Sequence, residues 1–330
     1  MNHRRKLIIA LGAAALGSPL YSRAQPAAKV WRIGWLNQSA RPVSLDADYL
    51  LVAFRAGMRD LGYVEGRNFL IEARFAENRV EILPGLAAEL VRSNVDVVVC
   101  SGTPSIVRAL QKASTTIPIV VGSGADFVRS GLVKSLARPG GNVTGVSNFA
   151  EDISAKYLEL LTSMVPKLSR VAILMNPDNA RHPDYIKNIQ ATAGSIRIIL
   201  GNARSVAEIA TAFSAMVKDR IGAVIVLPDP LFNQQRQQIA DLATKFRIPS
   251  MCPYPQYTEA GALMSYGGNI AANYRRAATY VDKIIKGAIA GDLPIEQPTK
   301  LELVINGKTA KLLGLKTPQS LLISADKVIE

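Results

Sequence analysis

Few residues in this chain could do covalent or acid–base chemistry. The 330 residues include two histidines and two cysteines. His3 falls in the N-terminal leader described below, which leaves His182 as the imidazole of the remaining chain. A serine–histidine–aspartate triad would have to use it. No G-x-S-x-G turn is present, and Ser101 lacks a glycine two residues before it. His182 stands beside Pro183 just ahead of a predicted helix and reads as a surface or capping residue. One histidine and the distant Cys100 and Cys252 do not make a zinc or copper site of usual composition. There is no G-x-x-x-x-G-K-[ST] loop, and Gly122-Ser123-Gly124 lacks the third glycine of a dinucleotide fingerprint. Asp126 and Asp229 are candidates for paired-carboxylate work, but holding a cationic group suits them better. No catalytic residue, metal or cofactor is expected.

What the polar residues share is position. Residues 95–110 read VDVVVCSGTPSIVRAL: an apolar strand, the turn Ser101-Gly102-Thr103-Pro104, and a helix. Thr103 suits an N-cap and Pro104 the first helical turn. The open amides of the helix start equally suit a bound anion. Five other predicted strands end on small or polar residues: Asn37-Gln38-Ser39, Gly122-Ser123-Gly124-Ala125-Asp126, Asn176-Pro177-Asp178, Pro228-Asp229-Pro230 and Tyr266-Gly267-Gly268. In open parallel sheets ligands bind beyond the carboxyl ends of the strands. A polar cleft is therefore expected. Trp35 and Tyr266 are placed to stack on an apolar or aromatic ligand group, and Trp35 fits a core position equally well.

The elements that position these turns alternate. Strands are expected over residues 31–36, 69–75, 95–100, 117–121 and 142–146, with helices over 46–61, 80–92, 104–113 and 127–136. After Pro139-Gly140-Gly141 and the strand that follows it, the order starts again: helix 153–164, strand 171–175, helix 184–193, strand 196–200, helix 206–217, strand 223–227 and helix 233–246. Short strands near 250 and over 263–266, a long helix over 273–285 and an extended segment over 301–305 complete the series. Strands separated by helices imply parallel sheets covered on both faces, and the repeated order implies two α/β lobes.

Bulk properties agree. Hydrophobic residues make up 48% and charged residues 20%, an ordinary globular balance rather than a disordered one. Arg4-Arg5-Lys6, the apolar run over 7–16 and Ser22-Arg23-Ala24 form a signal-peptide pattern, cleaved after Ala24, with an apolar run too short to span a bilayer. Arg4-Arg5 also resembles a twin-arginine signal. The formal charge of +13 falls to +9 once Arg4, Arg5, Lys6 and Arg23 are removed. The remaining basic residues are scattered among acids, with no run and no aromatic interleaving, so nucleic acid is not expected as a partner. Cys100 and Cys252 lie in separate halves and are expected as buried free thiols.

Three stretches carry a resemblance: SGTPSIVRALQKASTTIPIVV, GLVKSLARPGGNVTGVS and LPIEQPTKLELVINGKTAKLLGL. They resemble bacterial ABC-transporter substrate-binding proteins related to the tryptophan-type solute receptors. The resemblance implies a type I periplasmic binding fold: two Rossmann-like lobes, a three-segment hinge and a ligand enclosed between them. Lobe one would comprise residues 25–147 and 268–297, and lobe two residues 148–267 and 298–330. A permease and an ATPase of an ABC importer would be its partners, and the protein itself would be monomeric and periplasmic. Phe127 stands where the family commonly has proline, and Gly261-Ala262 where it has Gly-Gly. The expected ligand is an amino acid or related small polar compound, held by Asn37, Gln38, Ser39, Ser101, Gly102, Thr103, Ser123, Asp126, Asn176, Asp229 and Tyr266. A sensor presenting a solute to a membrane signalling protein is the alternative, and an exported α/β enzyme a more distant one.

Overall fold

The computed structural model describes residues 29–124, 127–147, 153–297 and 300–330. The leader expected over residues 1–24 and the candidate Asp126 lie outside the described residues.

The first sheet contains β1 (Trp31–Asn37), β2 (Phe69–Phe75), β3 (Val97–Gly102), β4 (Ile119–Gly124) and β5 (Val143–Ser147). Its order is β2-β1-β3-β4-β5, with every pair parallel. Helices α1 (Tyr49–Asp60), α2 (Leu83–Arg92) and α3 (Pro104–Ala113) connect successive strands. β3 and β4 open on apolar runs because helices cover both faces of a parallel sheet; β3 is buried at Val97, Val98, Val99 and Cys100. Helix α1 starts where Asp48 accepts the backbone N–H groups of Leu50 and Leu51. It buries Leu50, Leu51, Phe54 and Met58.

The second unit of alternation runs through α4 (Ser154–Met164), β6 (Arg170–Met175), α5 (His182–Ala191), β7 (Arg197–Asn202), α6 (Val206–Lys218) and β8 (Ala223–Val226). It continues with α7 (Pro230–Gln234), α8 (Arg236–Lys245), β9 (Ser250–Cys252), α9 (Pro255–Glu259) and β10 (Met264–Gly267). After α10 (Ile270–Ile285) come β11 (Glu302–Asn306), α11 (Gly307–Leu312), α12 (Gln319–Ser324) and β12 (Lys327–Ile329). These strands form a seven-stranded sheet of order β12-β11-β10-β9-β8-β6-β7. Only the β10–β11 pair is antiparallel among the described residues.

The chain passes between the sheets three times. It leaves the first beyond Ser147, returns beyond Gly267 so that α10 packs on α1, and leaves again beyond Glu296 to reach β11. The chain is bonded together just ahead of two of these passages: Ser147 donates its N–H to the Glu296 carbonyl at 2.7 Å, and Glu296 donates to Gly145 at 3.0 Å. Arg276 on α10 grips the Glu296 carboxylate through two bonds of 2.8 Å. An apolar cluster runs from Trp35, Phe54 and Tyr274 to Phe232, Tyr254 and Leu174, so the core is continuous from one lobe to the other.

Two expectations need correction. The helix anticipated over 127–136 does not form; the segment is a set of turns. Phe127, Leu132 and Val133 are buried, which accounts for its helix-like apolar spacing. However, Gly131 adopts φ +69° and the carbonyl of Phe127 takes both the Leu132 and Val133 N–H groups, a geometry that closes a turn. The helix anticipated over 233–246 is two helices that meet at Gln235. Cys100 and Cys252 are free and buried as expected, and burial pushes both thiols well above their ordinary range.

Candidate functional site

Between the carboxyl ends of the two sheets lies a cleft of about 960 Å³. Asn37, Gln38, Ser39, Ser101, Gly102, Thr103 and Ser123 line it from lobe one, and Asn176 and Asp229 from lobe two. The strand ends come together because all these strands point the same way within their lobe.

A backbone irregularity shapes the floor on the lobe-one side. Cys100 on β3 pairs with Val121 on β4, yet Ser101 pairs with Ser123, so β4 carries an extra residue, Gly122. Such a bulge re-aims the side chains that follow it. Gly102 and Gly124 then sit opposite each other so closely that a Cβ on Gly102 would lie 2.1 Å from the Gly124 Cα. The floor here is bare backbone for that reason. The Ser101 hydroxyl is buried beside it without a hydrogen-bond partner.

Thr103 is the N-cap residue of α3, but its hydroxyl does not cap the helix. It donates instead to Gln38 Oε1 at 3.1 Å and lies 3.3 Å from the Ser105 hydroxyl. The side chain thus ties the β1 and β3 loops together. The Thr103 carbonyl takes the Ile106 and Val107 N–H groups at 3.1 and 3.3 Å, and Pro104 contributes none, which leaves the Ser105 N–H as the open amide of the first turn.

The lobe-two wall is a bonded network. Asp229 is 5% exposed. One carboxylate oxygen accepts the Leu231 N–H at 2.9 Å and caps α7; the other accepts Asn179 Nδ2 at 2.9 Å and Asn176 Nδ2 at 3.3 Å. The oxygens of both asparagines are held in turn by the N–H groups of Asp178 and Arg181. His182, expected at the surface, is fully buried at the start of α5. Its Nδ1 accepts the Asn176 N–H at 2.9 Å, so Nε2 is the protonated nitrogen and donates to the Pro228 carbonyl at 3.2 Å. Burial lowers its pKa, against the pull of the nearby Asp229 carboxylate. A neutral imidazole therefore joins the β6 and β8 loops.

Tyr266 does not line the cleft. It packs against the lobe-two core alongside residues such as Tyr157 and Leu303. Trp35 is the core residue of its two readings: it is 1% exposed and packs on Phe54 and Tyr274 with ring centroids 5.9 and 5.4 Å away. The aromatic surface of the cleft comes from Tyr49, Phe75, Tyr185, Tyr254 and Tyr274 instead. Burial pushes the Tyr254 phenol up to about 12.

Sequence reasoning also missed Asp48, Asn179, Arg181, Asn233 and Arg236, which line the cleft. Each lies beyond a strand end, four to eleven residues on, in a following helix or the loop before it. Asp48 carried a usable signal, an acidic residue directly ahead of an apolar periodic run. Its carboxyl is pushed up by burial, opposed by the N–H groups of Leu51 and Leu50.

The lobes touch across this cleft. Gln234 of lobe two donates Nε2 to the Ala40 carbonyl at 2.9 Å and accepts the Ala40 N–H at Oε1 at 3.2 Å. The Arg236 guanidinium lies 4.5 Å from the centre of the Tyr49 ring, and Arg129 pairs with Asp184 at 2.8 Å.

Known proteins resemble both sequence and fold. The sequence model of the family described as "ABC transporter substrate binding protein" matches residues 40–329. A "Tyrosine-binding protein" of Clostridioides difficile is 26% identical over 277 residues, covering 83% of this chain and 78% of that one. The crystal structure of a conserved domain protein from Vibrio cholerae superposes with a TM-score of 0.79 at 26% identity, covering 91% of this chain and all of the other. An ABC domain from a Streptococcus species, solved in complex with L-Trp, gives a TM-score of 0.78 at 23% identity with the same coverage. The two-lobed architecture is that of a type I periplasmic binding protein, a class of solute receptors rather than enzymes. With its family match spanning nearly the whole described chain, this protein belongs to the ABC transporter substrate binding protein family.

Proposed function

We propose that the protein is a periplasmic receptor that closes around an amino acid, most suitably an aromatic one, and delivers it to the permease and ATPase of an ABC importer. The observation that carries this reading is the cleft between the strand ends of two lobes, with a helix start on one wall and an acidic, amide-rich network on the other. The Ser105 N–H at the start of α3, with the unpartnered Ser101 hydroxyl, suits a carboxylate. Asp229 has three of its roughly four acceptor sites occupied, and the last suits an ammonium group. Asp126 is the other candidate for that role. Tyr49, Tyr254 and Tyr274 offer ring faces and edges for an aromatic side chain. The C. difficile relative named for tyrosine and the streptococcal complex with L-Trp support the same ligand class.

The remaining parts of the reading are proposed with it. The lobes divide at residues 147/148, 267/268 and 297/298, and these three passages act as the hinge. The leader directs export and is cleaved after Ala24, so that periplasmic protein begins at Gln25. The receptor works as a monomer. A thermal-shift screen with the twenty amino acids, simple carboxylates, nucleosides and short polyols tests the ligand class, since a ligand that binds only the folded state raises the melting temperature. The expected result is a rise with L-tyrosine, L-tryptophan or L-phenylalanine. A rise with polyols or nucleosides alone would replace the amino-acid reading.

A further inference from the structure

We propose that Gln234, which lines the cleft with Ala40, is the positioning residue that sets how much of this receptor is closed, and that it does so by reading the backbone of Ala40 rather than by binding the ligand. The inference rests on the receptor reading above only in taking closure as the working motion.

The geometry is specific. A primary amide presents one donor and one acceptor side by side, and the backbone of a single residue presents the matching pair. Gln234 Nε2 donates to the Ala40 carbonyl and its Oε1 accepts the Ala40 N–H, at 2.9 and 3.2 Å. Both bonds join lobe two to lobe one across 194 positions of sequence. The amide hydrogen bonds in both directions at once, a pattern that other side chains of similar length cannot reproduce. Glutamate keeps the acceptor and loses the donor. Methionine keeps the length and loses both.

Neighbouring contacts place Gln234 on a seam rather than at an isolated touch. Two residues further on, Arg236 lies over the ring of Tyr49 at 4.5 Å. Its Nη1 is directed by the Asn233 carbonyl at 3.1 Å, which orients the guanidinium across the lobe boundary. On the same seam the Tyr49 hydroxyl and Asn233 Oδ1 are both buried without a formed hydrogen bond. Asn233 acts on the Tyr49 phenol, whose acidity is otherwise suppressed by burial.

If the open and closed forms interconvert freely, the apparent affinity equals the affinity of the closed form scaled by its population. Loss of the amide clasp lowers that population for every ligand alike. A residue that binds ligand directly instead changes ligands by different factors. That contrast distinguishes a clasp from a binding residue.

The test uses the full mature chain with spin labels on exposed positions of the two lobes, read by pulsed dipolar spectroscopy, together with calorimetric titration of L-tyrosine and L-tryptophan. In ligand-free protein, Gln234→Ala and Gln234→Glu should both shift the inter-lobe distances toward longer values. Ala40→Gly, which keeps the backbone pair, should leave them unchanged. Gln234→Ala, which loses both hydrogen bonds, should weaken the two amino acids by the same factor, between about 5- and 30-fold, and Gln234→Glu should also weaken both by one common factor. Their melting temperatures without ligand should stay near the parent value, because each lobe retains its own core. Unchanged distances in both Gln234 variants overturn the proposal whatever binds. Unequal losses for the two amino acids overturn it too, and make Gln234 a ligand contact. Should neither amino acid bind the parent protein, the amino-acid reading falls, while the ligand-free distances still decide the clasp.

Discussion

Asp229 shows how a carboxylate can line a cleft and still be committed to structure. Three donors hold it, and the asparagine amides among them cannot simply turn round, because their own oxygens accept from Asp178 and Arg181. Asp229→Asn places an N–H₂ against donors in either orientation. From sequence alone this substitution promises a change in binding with little loss of stability; the network predicts a loss of about 1–3 kcal/mol as well, read as a lower urea midpoint with unchanged slope. His182 gives a second expectation at the same scale. Burial depresses its folded pKa below the ordinary 6.5. Below that pH the unfolded chain binds the proton more readily, so stability is full above about pH 6.5 and falls as pH drops toward the lowered folded value. Urea unfolding between pH 7.5 and 5 should show this slope, and His182→Gln should flatten it. Asp229 and Arg181 face the imidazole and modulate the slope without reversing it.

At the scale of the element, the floor built by β3 and β4 depends on two chains meeting without side chains. Gly102→Ala puts a methyl 2.1 Å from the Gly124 Cα, where only backbone can move. A loss of roughly 1–3 kcal/mol is expected, with a lower melting temperature and weaker binding together. Thr103→Ala should behave differently. Its hydroxyl makes no cap bond, so the loss should stay near the ~1 kcal/mol of one hydrogen bond to Gln38. Sequence rules placed Thr103 at the cap position correctly and assigned its hydroxyl wrongly, because cap preference is local and the competing acceptor lies on another strand. The same division runs through the fold. The apolar run of β3 and the Pro104 helix start were legible, since parallel strands and helix starts write themselves into adjacent residues. The segment over 127–136 was not, because buried apolar residues at helical spacing look the same whether a helix or a set of turns presents them. Tyr266 was misplaced on a related ground: a position near a strand end does not settle which way the side chain points. Asn37, Ser101 and Asn176 reach the cleft because strand-end turns are short. Asn233 and Arg236 were missed because the wall continues into the next two helices.

At the scale of the molecule, the cleft is useful only if the lobes move. Small-angle scattering should show a smaller radius of gyration with saturating L-tyrosine than without, the hinge passages absorbing the rotation; an unchanged curve would remove closure from the account. The character of that motion is set by the passages beyond Ser147 and Glu296. They start side by side, since the backbone bonds Ser147 to Glu296 and Glu296 to Gly145 join the chain just ahead of both, and Arg276 anchors the pair to α10. Two crossings that leave from one bonded place share one axis of bending. The receptor should accordingly swing like a door on a leaf hinge, about one axis, rather than wobble like a ball in a socket. A door returns to the same frame each time it shuts, and that repeatability lets a single amide on one lobe find a single peptide unit on the other.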